Sequence, residues 1–378
     1  MSRRRPRGFT LIELMVALLV SSLLVGMILA IFSRMSIAYR GQQQIAGVQQ
    51  VLAAARAAIE VDAKQAGLQM AQGFKIFSDG PGVLHPPVNI LNNPSGTGPD
   101  QIAFFYADTT TQAVVTGGVL PNLTVDLPAS FAANDLVVMV RVDSTVGQAG
   151  VGPNDALIAT YDACVLQVAT ASTGNPGPIT FTAGPPWSNG AFAYCASPAT
   201  GLMLYKFIAR GYKIDVSTPA RAAIGPLQQS QTGGLFNNAS DNWSDLAYGF
   251  TDLQSAIQIF DNDGVDTDGD GDPTREWYSS QAQQAKTQSG VPPASLAIPL
   301  QMTISLVART DRDVEGISTP KTPQLTVPLN PNNNTIGDRA EVILPAAPPW
   351  LADPALQGAR LYRYITFGVD FRNLGVGR

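Results

Sequence analysis

The first pattern along this chain is an apolar run over residues 9–32 that contains a single charged side chain, Glu13. At a rise of about 1.5 Å per residue, such a run forms a helix of roughly 36 Å. This is long enough to cross a hydrocarbon core of about 30 Å. Residues 9–33 are therefore predicted to form a membrane-spanning helix.

The second pattern, over residues 34–71, is a helix with one apolar stripe. The stripe recurs at alternating steps of three and four, which places its members on one helix face. No proline occurs between Phe9 and Gly80, so one helix of roughly 90 Å is expected to run from the membrane into a head domain. A coiled coil is the alternative, but the stripe is shorter than the three or four heptads that it requires. The stripe consists of Ile45, Val48, Leu52, Ala55 and Ile59.

The third pattern, over residues 72–378, is a series of short runs of branched and aromatic residues between turn residues, which predicts strands. The links are too short for regular crossover helices, which favours antiparallel sheets. Residues 225–245 are a candidate surface loop or boundary between two sheet units. The expected strands are 102–107, 136–142, 156–161, 165–170, 179–182, 203–214, 253–260, 300–306 and 361–371.

These patterns predict the fold class α+β, with a long N-terminal helix packed by its second half on the antiparallel β-sheets of a large C-terminal head. Composition agrees, because only 14% of residues are charged while the chain has 35 Gly and 28 Pro. Such a composition is typical of turn-rich β structure.

Charge along the chain predicts its orientation. Four arginines lie within residues 1–8, so the positive-inside bias keeps the N-terminus in the cytoplasm. Without residues 1–8 the chain has 20 basic and 29 acidic residues, a net charge of −9. An acidic exterior argues against nonspecific DNA binding.

Glu13 needs a physical explanation, because an acidic side chain near the centre of a membrane helix costs about 2.5 to 3.5 kcal/mol on insertion scales. One interpretation is a carboxylate that reaches the interface from the first turns. The other is a charge that pairs with a cation within the membrane. The residues Ser33-Arg34-Met35 also offer no small-x-small cleavage site behind the apolar run.

The segment Gly8-Phe9-Thr10-Leu11-Ile12-Glu13 resembles the class III signal of type IV prepilins. The resemblance implies that a prepilin peptidase cuts after Gly8 and methylates the new N-terminal residue, Phe9. It also implies that Glu13 neutralises the N-terminal ammonium of a neighbouring subunit in a filament, so that two costly charges become one buried pair.

Two further segments resemble one branch of that family, the PilW-type minor pilins. Residues 62–67 are similar to the end of the long helix in that branch, with Lys64 where the family has arginine. Residues 369–375 resemble its last strand, which closes on an Arg-Asn pair. Residues 80–240 show no such match.

The resemblance implies a minor pilin that helps to prime assembly of a type IV pilus and lies in its tip complex. The implied partners are other minor pilins, the major pilin, a tip adhesin, the prepilin peptidase and the inner-membrane assembly machinery. The implied location is the inner membrane before assembly and the extracellular pilus afterwards. The alternatives are a pseudopilin of type II secretion of the GspJ kind, which is usually smaller, and a pilin-anchored surface adhesin.

One acidic loop has the chemistry of a calcium site, because carboxylate oxygens separated by glycines are ligands that Ca²⁺ prefers. It matches the first half of an EF-hand loop, but Trp277 stands where the bidentate Glu would be. The sequence leaves two interpretations, a looser calcium loop or a solvated hairpin tip. Strand 253–260, this loop and residues 276–278 together also resemble a hairpin of PilW-type pilins. The candidate ligands are Asp261, Asp263, Asp266, Asp268, Asp270 and Asp272.

The two cysteines, Cys164 and Cys195, both fall on the translocated side of the membrane. An oxidising compartment favours a disulfide, which contributes roughly 3.7 kcal/mol in the chain-entropy model. The alternative is two separate buried thiols.

An enzymatic role has little support in the sequence. The only histidine, His85, lies in Leu-His-Pro-Pro without a nearby nucleophile or carboxylate. The sequence also lacks the Gly-x-Ser-x-Gly motif of hydrolases, the Gly-Lys-Ser/Thr phosphate-binding loop and the Gly-x-Gly-x-x-Gly motif of dinucleotide-binding proteins. A structural, non-enzymatic role is expected.

Overall fold

A single long helix, α1, spans Leu11–Gln65. Its sequence lacks proline and is rich in Ala, Leu and Gln, which favour helix. One continuous helix therefore leads from the N-terminal apolar run into the head, as predicted. The structure is a computed structural model that describes residues 10–70, 74–76, 85–91, 99–141, 162–182, 202–232, 242–260, 266, 271–278, 298–311 and 360–371.

Helix α1 ends at Gln65, before the predicted boundary at residue 71. The chain turns at Gly67, whose φ of +75° lies in the left-handed region. The N–H of Gly67 donates to the carbonyl oxygen of Phe105 at 2.9 Å instead of continuing the helix. Glycine ends the helix here because it adopts this backbone conformation without strain.

The second half of α1 packs on the head through the predicted stripe. Val48, Leu52, Ala55 and Ile59 are buried, and Ile45 is half-buried. This prediction is confirmed. Because full burial of a Val, Leu or Ile side chain contributes about 1.5–3 kcal/mol, the stripe is a main source of helix docking.

The head contains fourteen described strands. Those expected at 102–107, 165–170, 253–260 and 300–306 are confirmed within longer strands, and the one at 203–214 has the predicted bounds. Those expected at 136–142, 179–182 and 361–371 are confirmed with bounds that differ by one or two residues. The expected strand 156–161 lies outside the described residues. The strands are β1 (Lys75–Ile76), β2 (Val88–Leu91), β3 (Gln101–Val119), β4 (Asn122–Val125), β5 (Leu136–Arg141), β6 (Asp162–Ala171), β7 (Gly177–Phe181), β8 (Met203–Ile214), β9 (Leu227–Ser230), β10 (Trp243–Ala247), β11 (Phe250–Phe260), β12 (Arg275–Tyr278), β13 (Ile298–Arg309) and β14 (Tyr362–Asp370).

Six strands of the larger sheet close into a barrel. The described sheet has the order β10-β9-β8-β5-β6-β7-β4-β3-β2, and an additional pairing of β8 with β3 closes the ring β3-β4-β7-β6-β5-β8. Every neighbouring pair in this ring is antiparallel. Side chains from all six strands fill its interior, among them Val115, Leu123, Leu166 and Ile179. The barrel therefore has an apolar core of its own.

The outer face of the barrel is also covered. Phe74 packs edge-on against Phe105 and Phe207, with ring centroids 5.0 and 5.1 Å away. His85 stacks on Phe74 at 5.4 Å between ring centroids. The histidine thus takes part in a packed aromatic cluster.

A smaller antiparallel sheet has the order β12-β11-β13-β14. Its apolar face, which includes Leu253, Ile304 and Phe367, lies in the same core as the stripe of α1. The opposite face carries polar pairs such as Gln258 with Gln301, 2.8 Å apart. Along β14, Phe367 and Val369 are buried while Thr366, Gly368 and Asp370 are exposed, the alternation of a half-buried strand.

Residues 225–245, a candidate surface loop or boundary between two sheet units, are partly strand, and residues 233–241 lie outside the described residues. This segment contains β9 and the start of β10, which pair with each other and extend the larger sheet. Its Gln- and Ser-rich composition is unfavourable for an isolated strand. Pairing with β8 and burial of Leu227 overcome that preference.

A short helix, α2 (Pro219–Ile224), lies between β8 and β9. Gly225 ends it with a φ of +56°, and a Cβ there would lie 1.9 Å from the carbonyl oxygen of Phe250. Only glycine fits this close approach. Arg221 of α2 forms ion pairs with Asp215 at 2.7 Å and with Asp245 at 2.5 Å, which fasten the helix to β10.

Candidate functional site

The N-terminus of α1 carries a reciprocal pair of hydrogen bonds. The hydroxyl oxygen of Thr10 accepts from the backbone N–H of Glu13 at 3.3 Å. Glu13 Oε2 accepts from the backbone N–H of Thr10 at 2.9 Å. This capping box satisfies backbone donors at the helix start. Gly8 and Phe9 lie outside the described residues.

The N-terminal half of α1 leaves its apolar surface uncovered. Leu11 is 80% exposed and Phe32 is 66% exposed, and the large apolar side chains between them are exposed as well. By length and composition this helix can cross a membrane. A continuous apolar surface of this size is typical of a segment that contacts lipid or other protein chains.

A buried carboxylate joins α1 to the larger sheet. Asp62 is 8% exposed, and its Oδ1 accepts a hydrogen bond from the Tyr106 hydroxyl at 2.7 Å. Its Oδ2 accepts a second bond from the Tyr212 hydroxyl. Gln229 Nε2 donates to the Tyr212 oxygen at 2.9 Å. Side chains from α1, β3, β8 and β9 therefore converge at one buried point.

Both tyrosine hydroxyls donate hydrogen bonds to Asp62. Burial raises the pKa of Tyr106, and the hydrogen bond to Asp62 and the charge of Asp62 raise it further. Burial and the charge of Asp62 likewise raise the pKa of Tyr212, while the positive charge of Arg210 opposes the shift. The two phenols thus stay protonated at neutral pH. Hydrogen bonds to an ionised carboxylate are about twice as strong as neutral ones.

The end of α1 also pairs with β3 through the backbone. The Gly67 N–H donates to Phe105, and the Ala107 N–H donates to the Leu68 carbonyl oxygen at 3.1 Å. Residues 62–67, which the sequence singles out, are thus the segment that fastens the helix to β3. Lys64 points away from this contact and forms an ion pair with Glu60 at 2.6 Å.

Sequence reasoning missed the tyrosine partners of Asp62. Tyr106 and Tyr212 lie in predicted strands, but 44 and 150 residues separate them from Asp62, so no local spacing connects them. The burial of Asp62 itself could have been predicted from the sequence. It lies three residues after Ile59 and therefore continues the stripe of α1.

The two strands that flank the acidic loop pair with each other. Strand β11 pairs with β12 in antiparallel register, with Phe260 opposite Arg275. Asp266 Oδ2 accepts from the Gly271 N–H at 2.9 Å, and Asp272 Oδ1 accepts from the Thr274 N–H at 3.0 Å. Asp261, Asp263, Asp268 and Asp270 lie outside the described residues. Among the residues that are described, no three His, Cys, Asp or Glu side chains form a metal-binding group.

Cys164 is buried on β6 and is disulfide-bonded. Cys195 lies outside the described residues. The pairing of these two cysteines stays a prediction.

Comparison with known proteins identifies the N-terminal signal. Residues 3–29 match the family described as the prokaryotic N-terminal methylation motif. The chain therefore carries a prepilin-type methylation signal that contains Gly8, Phe9 and Glu13. The match covers a small part of the chain and does not extend to the head.

The head itself has weaker counterparts. No curated protein matches the sequence. Among solved structures, a type IV-like pilin from Thermus thermophilus is similar over 86% of this chain and 97% of that chain, with 10% identity and a TM-score of 0.33. At this TM-score the likeness does not define the fold of the head.

The Asp62→Asn variant should loosen the docking of α1. The two charge-assisted bonds become neutral, and the amide NH₂ must face a tyrosine hydroxyl. We expect a loss of about 2 kcal/mol in the free energy of unfolding and faster amide hydrogen exchange over residues 58–68. Urea denaturation and exchange mass spectrometry of the full chain in detergent measure these two effects.

Glu60→Gln is the matched control, because Glu60 lies on the same helix but forms only surface ion pairs with Arg56 and Lys64. It should change the free energy by less than about 1 kcal/mol. Equal effects of the two variants would show that the buried carboxylate does not hold the helix in place.

Proposed function

We propose that this chain is a PilW-type minor pilin that helps to prime assembly of a type IV pilus and lies in its tip complex. The observation that carries the proposal is the methylation motif at residues 3–29, followed by a helix exposed over its first half and packed over its second. Such a helix can exchange lipid for neighbouring helices while the head keeps its internal contacts. The resemblance of residues 62–67 and 369–375 to PilW-type pilins supports the finer assignment.

Processing comes first in this proposal. The chain is held in the inner membrane with its N-terminus in the cytoplasm, where the prepilin peptidase cuts after Gly8 and methylates Phe9. Removal of residues 1–8 takes away four arginines that anchor the N-terminus on the cytoplasmic side. The new N-terminal amine then lies close to the start of α1.

Glu13 supplies the contact between subunits. Among the described residues, Glu13 Oε2 takes the hydrogen bonds from Thr10, and no hydrogen bond to Oε1 occurs. The free oxygen can accept the ammonium group of a neighbouring subunit without loss of the capping box. Pairing removes the cost of two isolated charges in an apolar surrounding.

The proposed partners are other minor pilins, the major pilin, a tip adhesin and the inner-membrane assembly machinery. Two alternatives have distinct outcomes. A type II secretion pseudopilin would be recovered with secretion components rather than with pili. If the chain is a pilin-anchored adhesin, its deletion would leave pili intact but abolish attachment of the cells.

We also infer that the acidic hairpin binds Ca²⁺. Two of its carboxylates hold the loop backbone, since Asp266 accepts from the Gly271 N–H and Asp272 accepts from the Thr274 N–H. The hydrogen bond from Gly271 to Asp266 links two positions within the loop, and Asp268 and Asp270, between them in sequence, are of the type that Ca²⁺ prefers.

Gly8→Val should block cleavage, because the peptidase must fit the backbone on both sides of the cut. Mass spectrometry of the membrane fraction should find the full-length chain without N-methylation. Gly26→Val, in the exposed part of α1 where a Cβ meets nothing within 4 Å, is the control and should be processed. A mature-length product from Gly8→Val would place the cut elsewhere.

Glu13→Ala should be processed but recovered in pili poorly, with about a tenfold loss if the pair contributes about 1.4 kcal/mol. Immunoblots of sheared pili, normalised to the membrane pool, measure this ratio. Glu60→Ala removes an acidic residue outside the apolar run and should be recovered normally. Full recovery of Glu13→Ala would refute the charge-pair contact.

Calorimetric titration of the full chain in detergent should detect about one Ca²⁺ site. Asp266→Ala and Asp270→Ala should abolish the heat, because each removes a candidate ligand. Asp370→Ala, an exposed acid on β14, should leave it unchanged. Absence of heat with the wild-type chain would identify the loop as a solvated hairpin tip.

A further inference from the structure

Arg309 is a buried cation that the proposed function does not use. It ends β13 and is 2% exposed. Its Nη2 donates to the carbonyl oxygens of Ala222, at 3.2 Å, and Ala223, near the C-terminus of α2. These two carbonyl groups satisfy one of the three guanidinium nitrogens.

The other two nitrogens have no acceptor. Arg309 Nε and Nη1 are buried and form no hydrogen bond. In the part of the chain that the structure describes, no carboxylate forms an ion pair with Arg309. Asp311, two residues further along the chain, is exposed. Arg309 therefore lies in the interior without a neutralising charge from any residue that the structure describes.

The residues around Arg309 make its buried positive charge more unfavourable. Burial lowers the pKa of Arg309 and the positive charge of Arg360 lowers it further, while the neighbouring Tyr362 hydroxyl opposes the shift. An arginine side chain nevertheless stays protonated in proteins, so the charge is not removed by loss of a proton. Tyr362, opposite Arg309 on β14, is 4% exposed and adds a polar hydroxyl but no negative charge.

A buried water molecule could satisfy the two N–H groups, but it would leave the charge uncompensated. An isolated ion in a protein interior is strongly unfavourable unless an opposite charge accompanies it. The carbonyl groups of α2 supply only partial negative charge. An anion meets both requirements, because it accepts hydrogen bonds and neutralises the guanidinium.

We propose that Arg309 binds a small inorganic anion of the size of chloride through Nε and Nη1, the two guanidinium nitrogens that do not face the carbonyl groups of α2. The near-complete burial of Arg309 limits the size of the ligand and argues against a phosphate or carboxylate group of a macromolecule. The anion would neutralise the side chain that links α2 to the smaller sheet through Nη2. This site is independent of the pilin function.

The test is the thermal unfolding of the full chain in nonionic detergent at constant ionic strength, with gluconate replaced stepwise by chloride or bromide. The wild-type chain should show a saturable rise in Tm on the order of 5 °C at about 100 times Kd. Arg309→Met should unfold at a temperature that does not depend on the anion. Arg363→Met, on the other face of the same sheet, should respond like the wild type.

Arg309→Gln replaces the methionine variant if that variant does not fold, because glutamine can still donate to the α2 carbonyl groups without a charge. It too should be insensitive to chloride. A wild-type Tm that does not change with the small anions would overturn the proposal and leave water as the partner of Arg309. A linear rise shared by all variants would also overturn it, because that is a general salt effect.

Discussion

The buried Asp62 side chain is the contact on which the arrangement of helix and head depends. The apolar stripe of α1 supplies most of the docking free energy, but the hydrophobic effect is non-directional and would tolerate rotation or sliding of the helix. Hydrogen bonds from Tyr106 and Tyr212 to one carboxylate have defined directions. Together with the backbone pairing of Gly67, they fix both the rotation of the helix and its position along β3.

The receiving surface is rigid because it is built on two cores. The closed barrel packs around its own interior, while the start of β3, the end of β8 and the smaller sheet form the core that contains the α1 stripe. Strand β3 belongs to both cores. The strand that carries Tyr106 is therefore held at one end by the barrel and at the other by the helix-binding core, which restricts its movement relative to α1.

Much of the fold could be predicted from the sequence, because local patterns define the long helix, its stripe and strands such as β8 and β13. The closure of the barrel could not, since it depends on pairing between β3 and β8, about 100 residues apart. Strands β9 and β10 were missed because tertiary pairing overrides their polar composition. At the candidate site, Gly8, Phe9 and Glu13 form a contiguous motif, whereas the partners of Asp62 come from distant strands that no motif connects.

Because the N-terminal half of α1 extends freely from the head, a small change in tilt near Gly41 becomes a large displacement at Leu11. From Gly41, where the helix first becomes buried, to Leu11 the helix extends on the order of 45 Å. A tilt of about 10° at the base would move the tip by roughly 8 Å, which exceeds the helical pitch of about 5.4 Å. If the tilt of α1 near Asp62 is fixed to within a few degrees, Glu13 is placed to within about one turn of a neighbouring helix. The accuracy of any assembly through the N-terminal half of α1 is therefore set by the contacts at its C-terminal end.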